Sequence, residues 1–467
     1  MNDSTNQRKF KMKNKKLHDA IKNLSLEVAN LLKDKLQTTG DIPTRIEEKI
    51  EIKDANNASF FHITKIDLGR LFIKNDQDIL ALTSAQDTIG LLKKDTFINK
   101  YLDQLVGVEG SGLVRFTTED CLRRFLVPLL DQFEELNWDE EKFEKHYSLL
   151  EDAFYIDKIP YRAIAPLENF SADFDEIKIT DNLKIIKVRK EELQEIWARG
   201  EFSPFVNSHK IWHTEYAIEV TWEAQKVIGT GNQKPVGSVV KDEIGDVLTT
   251  LRIYKAGITG FNFIETKPIK PSILVAGIES IGGLATQPYL GERYTLHSGE
   301  RRSLVELFRL LKDAKIHTIP NYLLVAIKRF EYAYARLLPE DKLLDFMIAF
   351  EAILLKDDEQ QELSYRLSLR TAYLLAETTG ERKIIFDFML RAYKARSKIV
   401  HGERAIGEGK NKEFVDKVEL YLRMSITKIL KNQQYKTNHN RFLNTLDELI
   451  LTGREISLIY EKSNAKS

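Results

Sequence analysis

The C-terminal third of the chain has the hydrophobic pattern of consecutive amphipathic helices. Apolar residues recur there three and four positions apart, and the connections between the segments are short and polar or contain glycine. Short connections favour antiparallel neighbours, so residues 301–467 are predicted to form an all-α bundle. The predicted helices cover approximately residues 299–313, 320–337, 339–356, 360–379, 381–402, 411–432 and 440–461.

The preceding 300 residues have a mixed pattern. Apolar residues keep helical spacing from Lys16 to Gln37, whereas residues 60–73 (FFHITKIDLGRLFI) have the composition of a strand. Beyond residue 150, β-like and helical runs alternate and are separated by Gly and Pro. The β-like runs are residues 175–180, 183–188 and 214–228, and the helical runs are residues 190–200 and 242–257. We therefore expect an α+β fold, in which a mixed α/β region precedes the helical bundle.

The changes of pattern divide the chain into three predicted domains. Residues 1–150 form a helical and mixed region, residues 151–300 form a mixed α/β domain, and residues 301–467 form the bundle. With 467 residues, the chain has room for two or three domains that each bury a core.

Charge and cysteine content narrow the functional classes. Lys and Arg together number 70, as do Asp and Glu, so the net charge is zero and nucleic-acid binding must use a local patch. The single cysteine, Cys121, excludes an internal disulfide framework and a thiolate zinc cage, which suits a reducing cytoplasm. No run approaches the roughly 18 consecutive apolar residues of a membrane span. We expect a soluble cytoplasmic protein that uses no membrane, metal or cofactor.

A charged residue interrupts the apolar stripe of the predicted helix 381–402. The stripe consists of Ile385, Met389, Ala392 and Ile399. Arg396 lies on this stripe. A charge within an apolar stripe is costly unless it forms an ion pair or takes part in function. His401 follows five residues later, and Gly402 is a favourable helix stop. Arg396 has a planar fork that fits phosphate oxygens, and His401 can move protons near neutral pH, so the two are candidates for handling a phosphate.

Two further predicted helices have the same feature. Glu351 lies on the apolar stripe of the helix 339–356, and Arg370 lies on that of the helix 360–379. Because an isolated buried charge is expensive, we expect Glu351 to neutralise Arg370, Arg396 or both. Glu351 and Arg370 then either support the site or only stabilise the bundle as a buried ion pair.

The spacing of Arg396 and His401 restricts how they can meet. Five residues at 100° each place them about 140° apart on an ideal helix. Either the last turn unwinds before Gly402, or two copies of the helix meet at a two-fold axis and form a composite site. A dimer would also supply two histidines, one to accept a proton and one to donate it.

Three segments of the chain resemble the HEPN superfamily, and within it the Apea-like HEPN domains. They are DKLLDFMIAFEAILL (341–355), ELSYRLSLRTAYLL (362–375) and YKARSKIVHGE (393–403). The spacing of Arg396 and His401 is similar to the R-x4-H ribonuclease motif of that family. The likeness covers roughly residues 320–460, and the first 300 residues resemble, more loosely, the variable region that precedes the domain.

The resemblance implies a helical domain that dimerises and, in active members, cleaves RNA without a metal ion. It assigns the catalytic positions, in a cleft between two protomers, to Arg396 and His401. Similar proteins are toxins and anti-phage effectors that attack host or viral RNA, often tRNA, and this implies a phage-derived or protein trigger. Ser397 stands where active members usually carry Asn, Asp or His. The alternative is therefore a catalytically inactive HEPN module that binds RNA or protein as a scaffold.

A ribonuclease of this kind uses the 2′-hydroxyl of RNA as its nucleophile. In the expected mechanism, His401 accepts or supplies a proton and Arg396 stabilises charge on the phosphoryl oxygens. Four further cations either hold the flanking phosphates or form a solvated basic face. They are Arg391, Lys394, Lys398 and Arg404. The expected products carry a 2′,3′-cyclic phosphate and a 5′-hydroxyl, and EDTA does not prevent their formation.

Overall fold

The chain, as a computed structural model, divides into two compact units. The first unit comprises Met1–Pro166, Thr180–Glu243 and Phe261–Thr286, and the second comprises Leu167–Ile179, Ile244–Gly260 and Gln287–Ser467. The structure describes residues 12–38, 40, 42–54, 57–108, 113–193, 214–229, 236–261, 263–274, 279–282, 292–316, 320–356, 361–402, 411–432 and 438–453. The described residues of the predicted bundle, 301–467, lie within the second unit.

The helices of the first unit pack around one apolar core. They are α1 (Lys15–Thr38), α2 (Leu68–Lys74), α3 (Asp76–Ala81), α4 (Thr83–Lys94), α5 (Thr96–Asn99), α6 (Thr118–Leu130) and α7 (Glu140–Tyr155). The helix predicted from Lys16 to Gln37 is confirmed as α1, because its apolar residues at helical spacing are buried. Of the helix predicted at residues 190–200, the described residues 190–193 are helical.

The strands of the first unit form a hairpin and a larger sheet. The hairpin pairs β1 (Thr44–Asp54) with β2 (Asn57–Ile66) in antiparallel orientation. The larger sheet contains β3 (Gln104–Val108), β4 (Val114–Phe116), β5 (Lys158–Leu167), β8 (Leu183–Lys187), β9 (Tyr216–Ile228), β10 (Phe263–Pro268) and β11 (Glu279–Gly282). Its strand order is β11-β10-β5-β9-β3-β4, and β8 also pairs with β9. The β-like runs predicted at residues 183–188 and 214–228 are thus confirmed.

The strand predicted at residues 60–73 is wrong in its second half. The strand β2 ends before Asp67, and the helix α2 begins after it. The Asp67 carboxylate accepts a hydrogen bond from the backbone N–H of Arg70 at 3.0 Å, which is the bond that an N-cap residue makes. The buried residues of α2 recur at helical spacing, and they are Leu68, Leu71 and Phe72. A cap and a buried helical face therefore outweigh the strand-like composition.

The second unit is mainly helical. Its helices are α8 (Val236–Tyr254, of which the part from Ile244 belongs to this unit), α9 (Arg301–Ile316), α10 (Asn321–Tyr334), α11 (Pro339–Leu354), α12 (Leu363–Leu375), α13 (Thr379–Val400), α14 (Asn411–Lys431) and α15 (His439–Thr452). One apolar core joins them, with α10 packed on α11 and α12 on α13. The predicted C-terminal helical region is therefore confirmed. None of the described helices is long and apolar enough to cross a membrane.

Among the described residues, three short strands also belong to the second unit. They are β6 (Phe170–Ala172), β7 (Glu176–Lys178) and β12 (Tyr294–Leu296). The strands β6 and β12 pair in parallel, although more than a hundred residues separate them along the chain. A sequence pattern cannot predict such a pairing, because strand composition does not specify the partner.

A capping box begins α13, the helix that carries Arg396 and His401. The Thr378 hydroxyl accepts a hydrogen bond from the backbone N–H of Glu381 at 3.3 Å and donates one to the Glu381 carboxylate at 2.8 Å. The bond from the Thr378 hydroxyl, together with one from the Thr378 backbone N–H to the same carboxylate, holds the pKa of Glu381 below its ordinary value. Because that pKa is lowered on folding, the carboxylate stabilises the fold at neutral pH, and this contribution is lost as the pH falls through the lowered pKa.

Thr378→Ala will lower the free energy of unfolding by about 1 kcal/mol, because it removes the side-chain cap of α13. Thr378→Ser keeps the hydroxyl and should retain nearly all of the stability. Urea unfolding followed by circular dichroism measures both changes. A Thr378→Ala protein as stable as Thr378→Ser would contradict the role of this cap.

Candidate functional site

Arg396 lies at the edge of the buried side of α13. The buried residues on this side are Ile385, Phe388, Met389, Ala392 and Ala395. The Arg396 side chain is 27% exposed, and its Nη2 donates to Oε2 of Glu351 on α11 at 3.3 Å. The guanidinium carbon also lies 5.9 Å from the ring centre of Tyr393. The structure thus brings Arg396 and Glu351 together, which is one of the two pairings predicted for Glu351.

This ion pair is incompletely hydrogen-bonded. Nε of Arg396 and Oε1 of Glu351 are buried and have no hydrogen-bond partner within the part of the chain that the structure describes. Burial raises the pKa of the Glu351 carboxyl, and the opposing effect of Arg396 is smaller. Because a buried polar group without a partner costs free energy, the pair favours a ligand that supplies the missing hydrogen bonds.

Arg370 has a partner that the sequence analysis missed. It is 2% exposed on α12, and its Nε and Nη2 donate to the two carboxylate oxygens of Asp447 on α15 at 2.8 and 2.9 Å. Its Nη1 donates to the carbonyl oxygen of Leu354 at 2.7 Å. The structure thus pairs Arg370 with Asp447 and pairs Arg396 with Glu351. This geometry favours the structural role that the sequence left open for Arg370.

A signal for Asp447 was present in the sequence. It is an acidic residue next to Leu443 and Leu446 in the last predicted helix, and both leucines are fully buried. The rule that identified Glu351, a charge beside an apolar stripe, also applies to Asp447. The rule does not say which arginine pairs with which acid, because the two members of each pair lie on different helices.

His401 is exposed at the end of α13. Its backbone N–H donates to the carbonyl oxygens of Ser397 and Lys398, both at 3.1 Å, and Gly402 follows with a φ of 77°. The predicted helix stop is confirmed, and the last turn tightens instead of unwinding. Arg396 and His401 therefore stay about 140° apart around the helix. One chain does not bring the two side chains to a common ligand.

His401 shares one face of α13 with several charged residues. We define this basic stripe as Asp387, Arg391, Lys394, Lys398 and His401. Its members recur four, three, four and three positions apart, and all of them are exposed. Three of the predicted phosphate-binding cations thus lie on the face of His401 and not on that of Arg396. Ser397 is half-buried between the two faces, and Arg404 lies outside the described residues.

The only cysteine of the chain, Cys121, has a buried thiol. Cys121 is fully buried on α6, and this burial raises the pKa of the thiol to about 12. The thiol is therefore protonated at neutral pH and does not act as a thiolate nucleophile. Among the described residues, no group of three or more His, Cys, Asp or Glu side chains could hold a metal ion.

Comparison with known proteins does not assign the chain to a family. No protein-family model, no curated protein and no solved structure matches it. Membership of the HEPN superfamily therefore stays a prediction from the three sequence segments. The ion pair of Arg396 and the position of His401 are observations that do not depend on that prediction.

Proposed function

We propose that the protein is a metal-independent endoribonuclease of the HEPN type. The observation that supports this most directly is the end of α13, where an exposed histidine completes a stripe of three cations. A basic helix face attracts the phosphates of RNA, and a histidine within it can move a proton at the phosphate that is cleaved. Arg396, whose pairing with Glu351 leaves hydrogen bonds unmade, is the second catalytic group of the proposal.

The proposed enzyme works as a homodimer through its helical unit. Arg396 and His401 of one chain lie on different faces of α13, so they reach one phosphate only if a second copy contributes. In the proposed dimer, Arg396 of one protomer and His401 of its partner contact the same phosphodiester. A two-fold axis forms this site twice.

The proposed reaction needs no nucleophile from the protein. A base removes the proton of the 2′-hydroxyl, the 2′-oxygen attacks phosphorus, and the 5′-oxygen leaves with a proton from an acid. His401 of the partner serves as the base or the acid, and water exchanges the other proton. Arg396 leaves Glu351 and stabilises the charge that develops on the phosphoryl oxygens. Arg391, Lys394 and Lys398 hold the flanking phosphates.

A biological role as a toxin or anti-phage effector in the cytoplasm fits this activity. In this proposal the protein cleaves RNA, for example tRNA, after a phage-derived or protein trigger reaches the first 300 residues. Those residues hold the nuclease in check until then. The support for this role is the resemblance of the three sequence segments to such effectors.

Sequencing of RNA ends after incubation with the protein in EDTA tests the proposed chemistry. Wild-type protein should produce 2′,3′-cyclic phosphate and 5′-hydroxyl ends, because the 2′-oxygen is the nucleophile. Arg396→Ala should produce few or no such ends. Products with 3′-hydroxyl ends, or cleavage that stops when EDTA is added, would overturn the mechanism.

The second candidate is a non-catalytic module that binds RNA or protein as a scaffold. It is favoured by the pairing of Arg396 with Glu351, because a guanidinium held by a carboxylate is not free to bind phosphate. In cells exposed to the trigger, the enzyme should slow growth, and His401→Ala should not. Equal behaviour of wild type and His401→Ala, with RNA binding retained in both, would favour the scaffold.

A further inference from the structure

The second unit contains a cavity of about 510 Å³. It lies between the starts of α10 and α15 and the C-terminal half of α11. Its wall includes Tyr322, Ile348, Glu351, Ala352, Lys356 and His439. A cavity of this volume, with both apolar and polar residues in its wall, has the size of a small-molecule site.

Two stacked rings form one part of the cavity wall. The ring centres of Tyr322 and His439 lie 4.0 Å apart, with 11° between the ring planes. Nε2 of His439 lies 2.8 Å from the carbonyl oxygen of Ile353, so this nitrogen carries the hydrogen and donates it. The bond orients the imidazole and thereby the stack. A planar aromatic ligand that enters the cavity can extend this stack.

Glu351 supplies the wall with a hydrogen-bond acceptor. One carboxylate oxygen accepts from Arg396, and the other is buried without a donor among the described residues. A ligand edge with adjacent N–H donors satisfies a carboxylate, whereas an edge with acceptors leaves it unsatisfied. Lys356, whose Nζ donates to Asn444 at 2.9 Å, adds a positive charge that suits a phosphate close to the ligand.

We propose that this cavity binds a guanine base of the RNA strand, an assignment that rests on the proposed function for the identity of that strand. Guanine presents N1–H and an exocyclic amine side by side, and this pair of donors matches the Glu351 carboxylate. Adenine and cytosine present an amine beside an acceptor nitrogen, which faces a carboxylate oxygen unfavourably. Since Glu351 also holds Arg396, base binding is coupled to the group that contacts the phosphate.

Calorimetric titration of the full-length His401→Ala protein with nucleoside 5′-monophosphates tests the base preference. This variant removes the proposed proton transfer and leaves the cavity wall intact. Guanosine monophosphate should bind about tenfold more tightly than inosine monophosphate, which lacks the exocyclic amine. The adenosine and cytidine monophosphates should bind more weakly still. Equal binding of the four nucleotides, or no binding of guanosine monophosphate, overturns the assignment.

Three variants show where guanosine monophosphate binds. Ala352→Phe fills the cavity without altering a charge and should abolish binding of guanosine monophosphate, whereas Ala335→Phe makes the same change at an exposed position and should not. Glu351→Gln replaces the acceptor by an amide and should remove the preference for guanosine over inosine monophosphate. Circular dichroism verifies that each variant is folded. Binding that survives Ala352→Phe, or a preference that survives Glu351→Gln, overturns the assignment.

Binding of oligouridines that contain one central guanosine or inosine shows whether the cavity recognises a base within RNA or only a free nucleotide. Tighter binding of the guanosine oligonucleotide supports the assignment, and binding of the mononucleotide without any preference between the oligonucleotides overturns it. These experiments can contradict the proposed nuclease and the proposed base site independently of each other. Guanine binding without RNA cleavage by the wild type contradicts the nuclease alone, and cleavage without guanine binding contradicts the base site alone.

Discussion

His401→Ala will lower the rate of RNA cleavage by about 100- to 10,000-fold, which is the contribution of a well-placed general acid or base. The side chain is exposed, so its removal should leave the fold and its stability nearly unchanged. Cleavage of an end-labelled RNA in EDTA measures the rate. The control is His297→Ala, which removes another exposed histidine of the second unit and should keep the wild-type rate. A His401→Ala protein with wild-type activity would exclude His401 from the chemistry.

Mixing two inactive variants will show whether the site is shared between protomers. Arg396→Ala retains His401, and His401→Ala retains Arg396. If one phosphate is contacted by Arg396 of one protomer and His401 of the other, each mixed dimer contains one site with both Arg396 and His401. Random assortment makes half of the dimers mixed, so about a quarter of the wild-type rate should return. This expectation follows from the angle of about 140° between the two side chains around α13.

The outcome of mixing discriminates between two geometries. No return of activity, with mixed dimers demonstrated by differently tagged chains, would mean that both groups act within one chain. The end of α13 would then have to rearrange, because its last turn is closed by the backbone bonds of His401 and Gly402. Mixing either variant with itself is the control and should give no activity.

Arg370→Ala will lower the free energy of unfolding of the second unit by about 3 kcal/mol. The guanidinium is 2% exposed and makes two bonds to Asp447 and one to the carbonyl oxygen of Leu354. Truncation leaves a cavity in the core and a carbonyl without its donor. The Asp447 side chain is 37% exposed and can recover water, which keeps the loss at the low end of the range for broken buried ion pairs.

Urea unfolding followed by circular dichroism measures the loss of stability. The matched control is Arg366→Ala, one turn earlier on α12, where the side chain is exposed and the change should be within about 0.5 kcal/mol. Asp447→Ala should destabilise at least as strongly as Arg370→Ala, because it leaves the buried guanidinium without its counter-charge. Equal stability of Arg370→Ala and Arg366→Ala would contradict a structural role for Arg370.

Local patterns predicted the helices and the unusual charges. The helices of the second unit follow apolar residues three and four apart, and this periodicity is a property of each segment alone. The same reasoning identified Glu351, Arg370 and Arg396, because a charge within an apolar stripe requires a partner wherever the helix packs. The end of α13 at Gly402 was predictable for a similar reason, since a glycine adopts the positive φ of a helix stop without strain.

Tertiary structure decided which of these groups meet. Arg370 pairs with Asp447, 77 residues away, and Arg396 pairs with Glu351, 45 residues away. Which helices become neighbours depends on how all their apolar faces pack at once, and no single segment contains that information. The same holds for the strand order of the first unit and for the cavity lined by Tyr322, Glu351 and His439, whose wall comes from three helices. The sequence by itself thus determined the helices and the candidate groups, and packing alone determined their partners.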